Sequence, residues 1–273
     1  MKIDIHTHTF PAHQAAEIIA DLQEKARRDC PVIPQGDGTI ADLVRQERED
    51  GFDRFAICPI AVRPEQYHYM VKFLSALKSG ACGEEAQQRV IPCASLHPSD
   101  PDFREHLKTL IELGAKMIKL HPFFQGVPLS DKRMHRLLGA CAEANMPVLC
   151  HTGCDISFGR KEMASPYMVF KLIHDIPDLH FICAHCAAWR TSDAERLLLG
   201  RNVYVDLSYQ PNGGVESVIQ RFAREHPQDR VLFGSDWPWS RPGEQAAKIA
   251  SWGLPPERLE AIMGGNAQRL LNL

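Results

Sequence analysis

The sequence has no apolar run approaching the ~20 residues that a membrane-spanning helix needs, so no helical membrane span is expected. It opens without a basic and apolar leader of signal-peptide form, and the expected location is the cytoplasm. It also lacks an excess of either charge: 31 Lys and Arg stand against 34 Asp and Glu. A formal net charge of -3 gives no general attraction to nucleic acid or to an acidic membrane, which leaves a small-molecule substrate as the expected partner. Repeats, low-complexity segments and linkers rich in Pro, Gly or Ser are missing, so one domain over 1–273 suffices. Cysteine is not scarce. The nine are scattered, odd in number and set in apolar runs such as "PVLC" and "FICAHC", which suits reduced core thiols. Cys183 and Cys186 have C-x-x-C spacing, but without a second such pair a zinc knuckle or redox pair is the minor reading.

What is present starts at once, with "IDIHTHTF" at positions 3 to 10. As a β-strand with alternating faces, it sends Asp4, His6 and His8 one way and Ile3, Ile5 and Thr7 the other. Two imidazoles on one side can reach a common metal ion. A half-exposed edge strand with histidines facing water is the bland alternative, and this fragment does not decide between them.

Short β-rich segments recur along the chain at 2–6, 54–60, 89–96, 116–121, 146–152, 179–185, 202–208 and 230–236. Amphipathic stretches separate them. In "PDFREHLKTLIELG", Phe103, Leu107, Leu110 and Ile111 share one side; in "DKRMHRLLGACAEAN", Met134, Leu137, Leu138 and Cys141 do. Apolar strands alternating with such helices imply parallel pairing through right-handed crossovers. Eight units fit a single α/β domain of the (β/α)8 TIM-barrel type better than an open doubly wound sheet, and "HTHTFPAHQ" offers no Gly-rich dinucleotide loop. The stretch from Thr9 to Gly51 reads as two helices split by "CPVIPQGDGT", folding over the barrel mouth. Its charged pieces "EKARRD" and "RQERED" read as solvated helix faces.

In such a barrel the active site lies at the C-terminal ends of the strands. Those ends carry His6 and His8, Lys119 and His121, His151, His185, Asp206 and Ser208, and Asp236. One buried histidine is commonly a hydrogen-bonded core residue. Several strands ending this way, in segments as apolar as "PVLCH", "HFICAH" and "VLFGSD", are harder to explain as packing, because each polar group buried unpaired costs about 1 to 3 kcal/mol. A shared metal would satisfy them together.

"DIHTH", "PVLCHTG", "FICAHC", "LFGSDWP" and the closing "GGNAQRLLNL" resemble the amidohydrolase superfamily, in particular its amidohydrolase-2 branch, which includes an aminocarboxymuconate-semialdehyde decarboxylase and related hydrolases. The motifs run in the family's order across the whole chain and are specific to the superfamily, not to a substrate. The resemblance implies a metallo-dependent hydrolase barrel in which His6, His8, His151 and Asp236 bind one divalent metal, commonly zinc. It implies that His185 contacts the water or substrate, and homodimers are a common assembly in the family.

The chemistry agrees with those roles. Zinc lowers the pKa of a water from 15.7 to about 7. Asp236 can take that water's proton and pass it to the leaving group. His185, protonated or donating a hydrogen bond, can orient the water or steady an oxyanion. Lys119 is open between two roles: a carboxylated bridge to a second metal, as in some relatives, or a plain ammonium pairing with a substrate carboxylate or Asp236. The mononuclear site is the first expectation.

His97 and His121, each followed by proline, either line the pocket or form turns. Trp237, Pro238 and Trp239 wall the substrate or pack under a loop, and Phe123 and Phe124 are similar. His68 and His135 read as surface residues. The expected function is a metal-dependent hydrolase of a small lactone, ester or amide using metal-activated water. A nonoxidative decarboxylase of an aromatic or muconate-type acid is the rival, with Lys119, Arg63, Arg160 and Arg190 as candidates to grip a carboxylate. An inactive barrel that serves as a binding protein is the third reading.

Overall fold

The computed structural model describes residues 1–26, 31–159, 161–189, 191, 193–209 and 216–273. Eight parallel strands follow one another in chain order: β1 (Ile3–Thr7), β2 (Arg54–Ile57), β3 (Val90–Ala94), β4 (Met117–Leu120), β5 (Val148–Cys150), β6 (Phe181–Cys183), β7 (Tyr204–Asp206) and β8 (Val231–Leu232). β2 to β8 each fall inside a segment expected from the sequence and are shorter than it, whereas β1 is shifted one residue beyond the expected 2–6. Hydrogen bonds from Ile5 N–H to Phe233 O (3.1 Å), Asp236 N–H to His6 O (2.8 Å) and His8 N–H to Trp237 O (2.7 Å) join the last strand to the first. The architecture is a (β/α)8 barrel.

Two apolar layers hold it. Inside, Ile3, Ile5, Ala56, Ile91, Cys93, Met117, Leu149, Ile182 and Leu232 fill the lower barrel. Outside, strand residues such as Ile118, Val148, Phe181 and Val205 pack against the helices. In the helix Lys132–Glu143, Met134, Leu137, Leu138 and Cys141 are all buried, as their spacing predicts. In Phe103–Glu112 the stripe is narrower than expected: Leu107 and Leu110 are buried, whereas Ile111 is exposed. Cys183 and Cys186 sit in the outer apolar layer as free thiols. Among the described residues, no helix is long and apolar enough to cross a membrane.

The connection after β1 forms α1 (Ala15–Ala26) and α2 (Ile40–Glu49). Thr39 starts α2 by accepting a hydrogen bond from Asp42 N–H on its side-chain oxygen. The segment between the helices lies on Trp237: Gln35 N–H donates to Pro238 O at 2.6 Å. A Cβ at Gly36 would come within 2.2 Å of the Trp237 ring, so only glycine allows that approach.

Strict alternation in β1 does not hold, and the reading of its two faces is corrected. The register with β2 shifts between Asp4 and Thr7. Ile3 and Ile5 face the barrel interior, while Asp4 and Thr7 pair with the outward residues Phe55 and Ile57. The extra residue of this bulge places Ile5 and His6 successively on the inner side, and His8 follows. Asp4 therefore parts from the histidines and faces α2. Its Oδ1 accepts His6 N–H at 2.9 Å and Ser235 N–H at 3.1 Å, which pins the bulge.

Asp4 meets Glu47 of α2, and both are fully buried. Among the described residues, no other group hydrogen-bonds to Asp4 Oδ2 or to either Glu47 oxygen, so the two carboxyls face each other and share a proton. Burial pushes the Asp4 carboxyl up to about 7; burial, followed by the Asp4 charge, pushes Glu47 well above the usual range. The fold thus keeps protons that the unfolded chain releases near pH 4. The pair's contribution to stability is present in acid and lost as pH rises through about 7. Glu47→Gln is expected to stabilise the protein at pH 8 by on the order of 1 kcal/mol, with the gain shrinking toward pH 5. Thermal unfolding of both proteins across that range checks it, and a pH-independent difference would contradict the buried pair.

Candidate active site

His6 and His8 reach the upper barrel from the bulged end of β1. His6 Nδ1–H donates to Asp206 Oδ2 at 2.8 Å, and His8 Nδ1–H donates to the Cys58 carbonyl at 2.8 Å. A carboxylate and a carbonyl only accept, so both rings carry their hydrogen on Nδ1 and present Nε2 lone pairs inward. The two Nε2 atoms are 3.2 Å apart. Asp236 Oδ1 lies 3.4 Å from the first and 3.3 Å from the second. Burial, then the nearby Lys119 charge, lowers the His6 pKa to about 4, so the ring is neutral at neutral pH. Burial alone would raise Asp236, but His6, His8 and His185 outweigh it and hold the carboxyl well below its usual range. Asp236 sits in the left-handed region at φ 64°, a backbone setting that costs energy without glycine and turns the carboxylate toward β1.

These three donors fit a divalent ion. Bonds of 2.0 to 2.1 Å in a tetrahedral site separate neighbouring donors by about 3.3 to 3.4 Å; the observed edges are 3.2, 3.4 and 3.3 Å. Two imidazole Nε2 atoms and one carboxylate are the donor set that zinc and related ions take. The fully buried Lys119 has its Nζ 2.6 Å from His6 Nε2. Lys119 Nζ thus already stands on the lone pair of His6, and an ion on the triangle requires Lys119 to draw back.

His185 joins from the turn after β6. Its Nε2 is 4.0 Å from Asp236 Oδ2, and donor atoms of His6, His185 and Asp236 all lie within 4.8 Å of one another. Asp206, at the end of β7, binds His6 and also accepts His185 N–H at 2.8 Å and Ser208 N–H at 3.1 Å. Burial would raise Asp206, but His6, His185 and Ser208 hold it well below the carboxylate range. Gly234 gives this group room, since a Cβ there would stand 2.9 Å from His6 Cβ and 3.3 Å from Ser208 Cβ.

His151 is placed differently from the other three expected ligands. Its Nε2 faces the Cys154 carbonyl at 3.2 Å and Asp155 Oδ2 at 3.6 Å. Its ring stacks on His121 at 4.2 Å and meets His185 edge-on at 5.0 Å. His121 Nε2 is 3.4 Å from the same Asp155 oxygen. Burial lowers both His121 and His151 well below the usual range and raises Asp155 to about 6. Phe124 and Phe123 lie 4.5 and 6.1 Å from His121, and both rings contact Phe158.

The structure therefore brings His6, His8, Asp236, Lys119 and His185 into one cluster and sets His151 beside it with His121. His97 lies outside, its Nε2 donating to the Gln125 carbonyl at 3.0 Å. Trp237 is fully buried under the loop at Gly36, so it packs there and does not wall the mouth. Arg63 and His68 are exposed, and His135 is half-buried in its helix. Arg160 and Arg190 lie outside the described residues. Asp155 and the anchoring roles of Asp206 and Ser208 were missed. Both of the latter end an otherwise apolar strand, which is a readable signal, whereas Asp155 sits in a loop without periodicity.

The amidohydrolase family model (amidohydrolase-2) matches residues 3–273. The chain belongs to the amidohydrolase family. No curated protein matches its sequence. Among solved structures, an uncharacterised TIM-barrel protein of Bordetella bronchiseptica is similar at 18% identity and a TM-score of 0.77, covering 99% of this chain and 98% of that one. A probable 2-pyrone-4,6-dicarboxylic acid hydrolase of Acinetobacter baumannii, with citric acid bound, is 15% identical with a TM-score of 0.68 over 100% and 99%. A 5-carboxyvanillate decarboxylase of Novosphingobium aromaticivorans, complexed with manganese and 4-hydroxy-3-methoxy-5-nitrobenzoic acid, is 16% identical with a TM-score of 0.69 over 100% and 96%. These likenesses establish the shared barrel.

Because Asp206 anchors one donor of this amidohydrolase triangle, Asp206→Asn is expected to weaken divalent-metal affinity roughly 10- to 100-fold. Competition against a metal-chelating dye measures it. Unchanged affinity would remove Asp206 as the support of His6.

Proposed function

We propose that the protein is a metal-dependent hydrolase of a small carbonyl substrate, a lactone, ester or amide. One divalent ion, zinc as first choice, is held by His6, His8 and Asp236, and His151, whose Nε2 faces Cys154 O and Asp155 here, joins as a fourth ligand only after its ring turns. The observation that carries the reading is the triangle of edges 3.2, 3.4 and 3.3 Å at the open end of the barrel. When bound, such an ion supplies Lewis acidity toward a carbonyl and lowers the pKa of water toward about 7.

The chain's own residues supply the rest. Asp236, ionised and reached by His185 at 4.0 Å, takes the proton of the attacking water and returns it to the leaving group. His185 meets the reacting atoms from the β6 side. Lys119 brings positive charge to the negative charge that develops on the carbonyl oxygen, and its burial strengthens that interaction by excluding water.

A second reading, nonoxidative decarboxylation of an aromatic or muconate-type acid, is favoured by the cluster of Phe123, Phe124 and Phe158 beside His121. The name of the Novosphingobium relative points the same way. In that reaction Lys119 would hold the substrate carboxylate.

Metal analysis of the purified protein is expected to find about one equivalent per chain; two equivalents, with one lost in Lys119→Ala, would show a bridging carboxylated lysine. Asp236→Asn should reduce turnover by roughly 100-fold or more while weakening metal binding less, since proton transfer by a placed group is worth about 10²- to 10⁴-fold. Retained turnover would remove the general base. A panel of lactones and of aromatic and muconate-type acids, scored for acid release against carbon dioxide release, separates the two reactions.

A further inference from the structure

Taking the metal site proposed above as its basis, we infer that Ser95, just past β3, is the acceptor that receives Lys119 when a divalent ion binds beside His6. Ser95 is then a positioning residue of the metal site.

Ser95 is fully buried, and among the described residues its hydroxyl oxygen has no hydrogen-bond partner. A hydroxyl withdrawn from water and left unpaired costs free energy, so a core position for it is unusual. Its side chain points into the barrel. Ile91 and Cys93 of β3 belong to the inner apolar layer, whereas Ala94 and Leu96 belong to the outer one. Alternation therefore turns Ser95 inward, one step above Cys93. The parallel register pairs Cys93 with Met117 and Ala94 with Ile118, so the next step sets Ser95 beside Lys119. On its other side Lys119 is paired with Leu149, which has no polar group to offer. Of the two side chains that flank Lys119 on neighbouring strands, Ser95 is the one that accepts hydrogen bonds.

Lys119 needs such a group once an ion arrives. Its Nζ stands 2.6 Å from His6 Nε2, the same atom that forms one corner of the donor triangle. A ring nitrogen has one lone pair, which cannot serve a metal bond and a lysine together. Lys119 is fully buried, so its new partner has to come from the protein. Nζ carries hydrogens whether or not it is charged, and the Ser95 hydroxyl offers lone pairs, so the pairing holds in either state. The exchange satisfies both groups: Ser95 gains the partner it lacks, and Lys119 keeps one while His6 turns to the ion. His121 Nδ1 is also without a partner among the described residues. It stands two residues further along the same strand, roughly 6.6 Å on, whereas the step across to β3 is about 4.8 Å.

Zinc affinity of the full chain, measured by competition against a chelating dye, tests the inference through a double-mutant cycle. Ser95→Ala is expected to weaken zinc binding about 3- to 10-fold, the contribution of one buried hydrogen bond. The metal-free Ser95→Ala protein should melt no lower than the wild type, because the hydroxyl has no partner there. Lys119→Met should bind zinc more tightly than the wild type, and in that background Ser95→Ala should change the affinity by less than about 2-fold. Unchanged affinity in Ser95→Ala alone overturns the inference. An equal loss in both backgrounds, or a metal-free Ser95→Ala protein that is destabilised or fails to fold, also overturns it by marking a structural serine. Weaker zinc binding by Lys119→Met does so as well, since Lys119 would then support the ion instead of yielding to it. A wild-type protein that binds no zinc would remove the metal site itself, and this inference with it.

Discussion

The buried carboxylate of Asp206 is the constraint around which the upper barrel is arranged. Removing an ionised carboxylate from water is costly unless it is well supplied with donors. Here His6, His185 and Ser208 supply them. The network is satisfied only when β1, β6 and β7 stand in their observed relation, so its electrostatics specify geometry as well as stability. Each donor spent on Asp206 is a ring edge or backbone group turned away from the mouth. What remains pointing inward is therefore acceptor character, from His6, His8 and Asp236, and a cation is the natural complement to it.

The same economy explains β1. A regular strand would have placed His6 outside, opposite Ile5. The bulge between Asp4 and Thr7 gives the interior one more residue, and the ladder is repaired by Asp4 Oδ1, by the His6 carbonyl, which accepts Asp236 N–H, and by the Trp237 carbonyl, which accepts His8 N–H. The repair leaves Asp4 Oδ2 buried against Glu47, which is a poor place for two carboxyls. Stability at that strand–helix contact has been exchanged for the direction of an imidazole, the kind of local compromise that marks a functional region.

Much of this was legible in the sequence. The eight strands show as apolar runs that end in polar residues, and His6, His8, His185 and Asp236 converge because a parallel barrel gathers strand ends. Periodicity could not reveal the bulge, since one inserted residue changes direction without changing composition. His151 was read from its strand end and from the family resemblance, and the pull of Cys154 O and Asp155 on its ring depends on a loop path that has no local code. Ser208 and Asp206 stood in plain view, yet their roles emerge only from contacts across about 20 to 200 residues of sequence. Trp237 beside Asp236 was open between walling the substrate and packing under a loop, and its close fit on Gly36 decides for packing.

The apolar filling beneath the polar ring carries one more implication. Ile5, Met117, Leu149, Ile182 and Leu232 close the lower barrel completely. These side chains form an apolar floor directly beneath the polar ring, so a substrate meets the charged groups from the C-terminal ends of the strands.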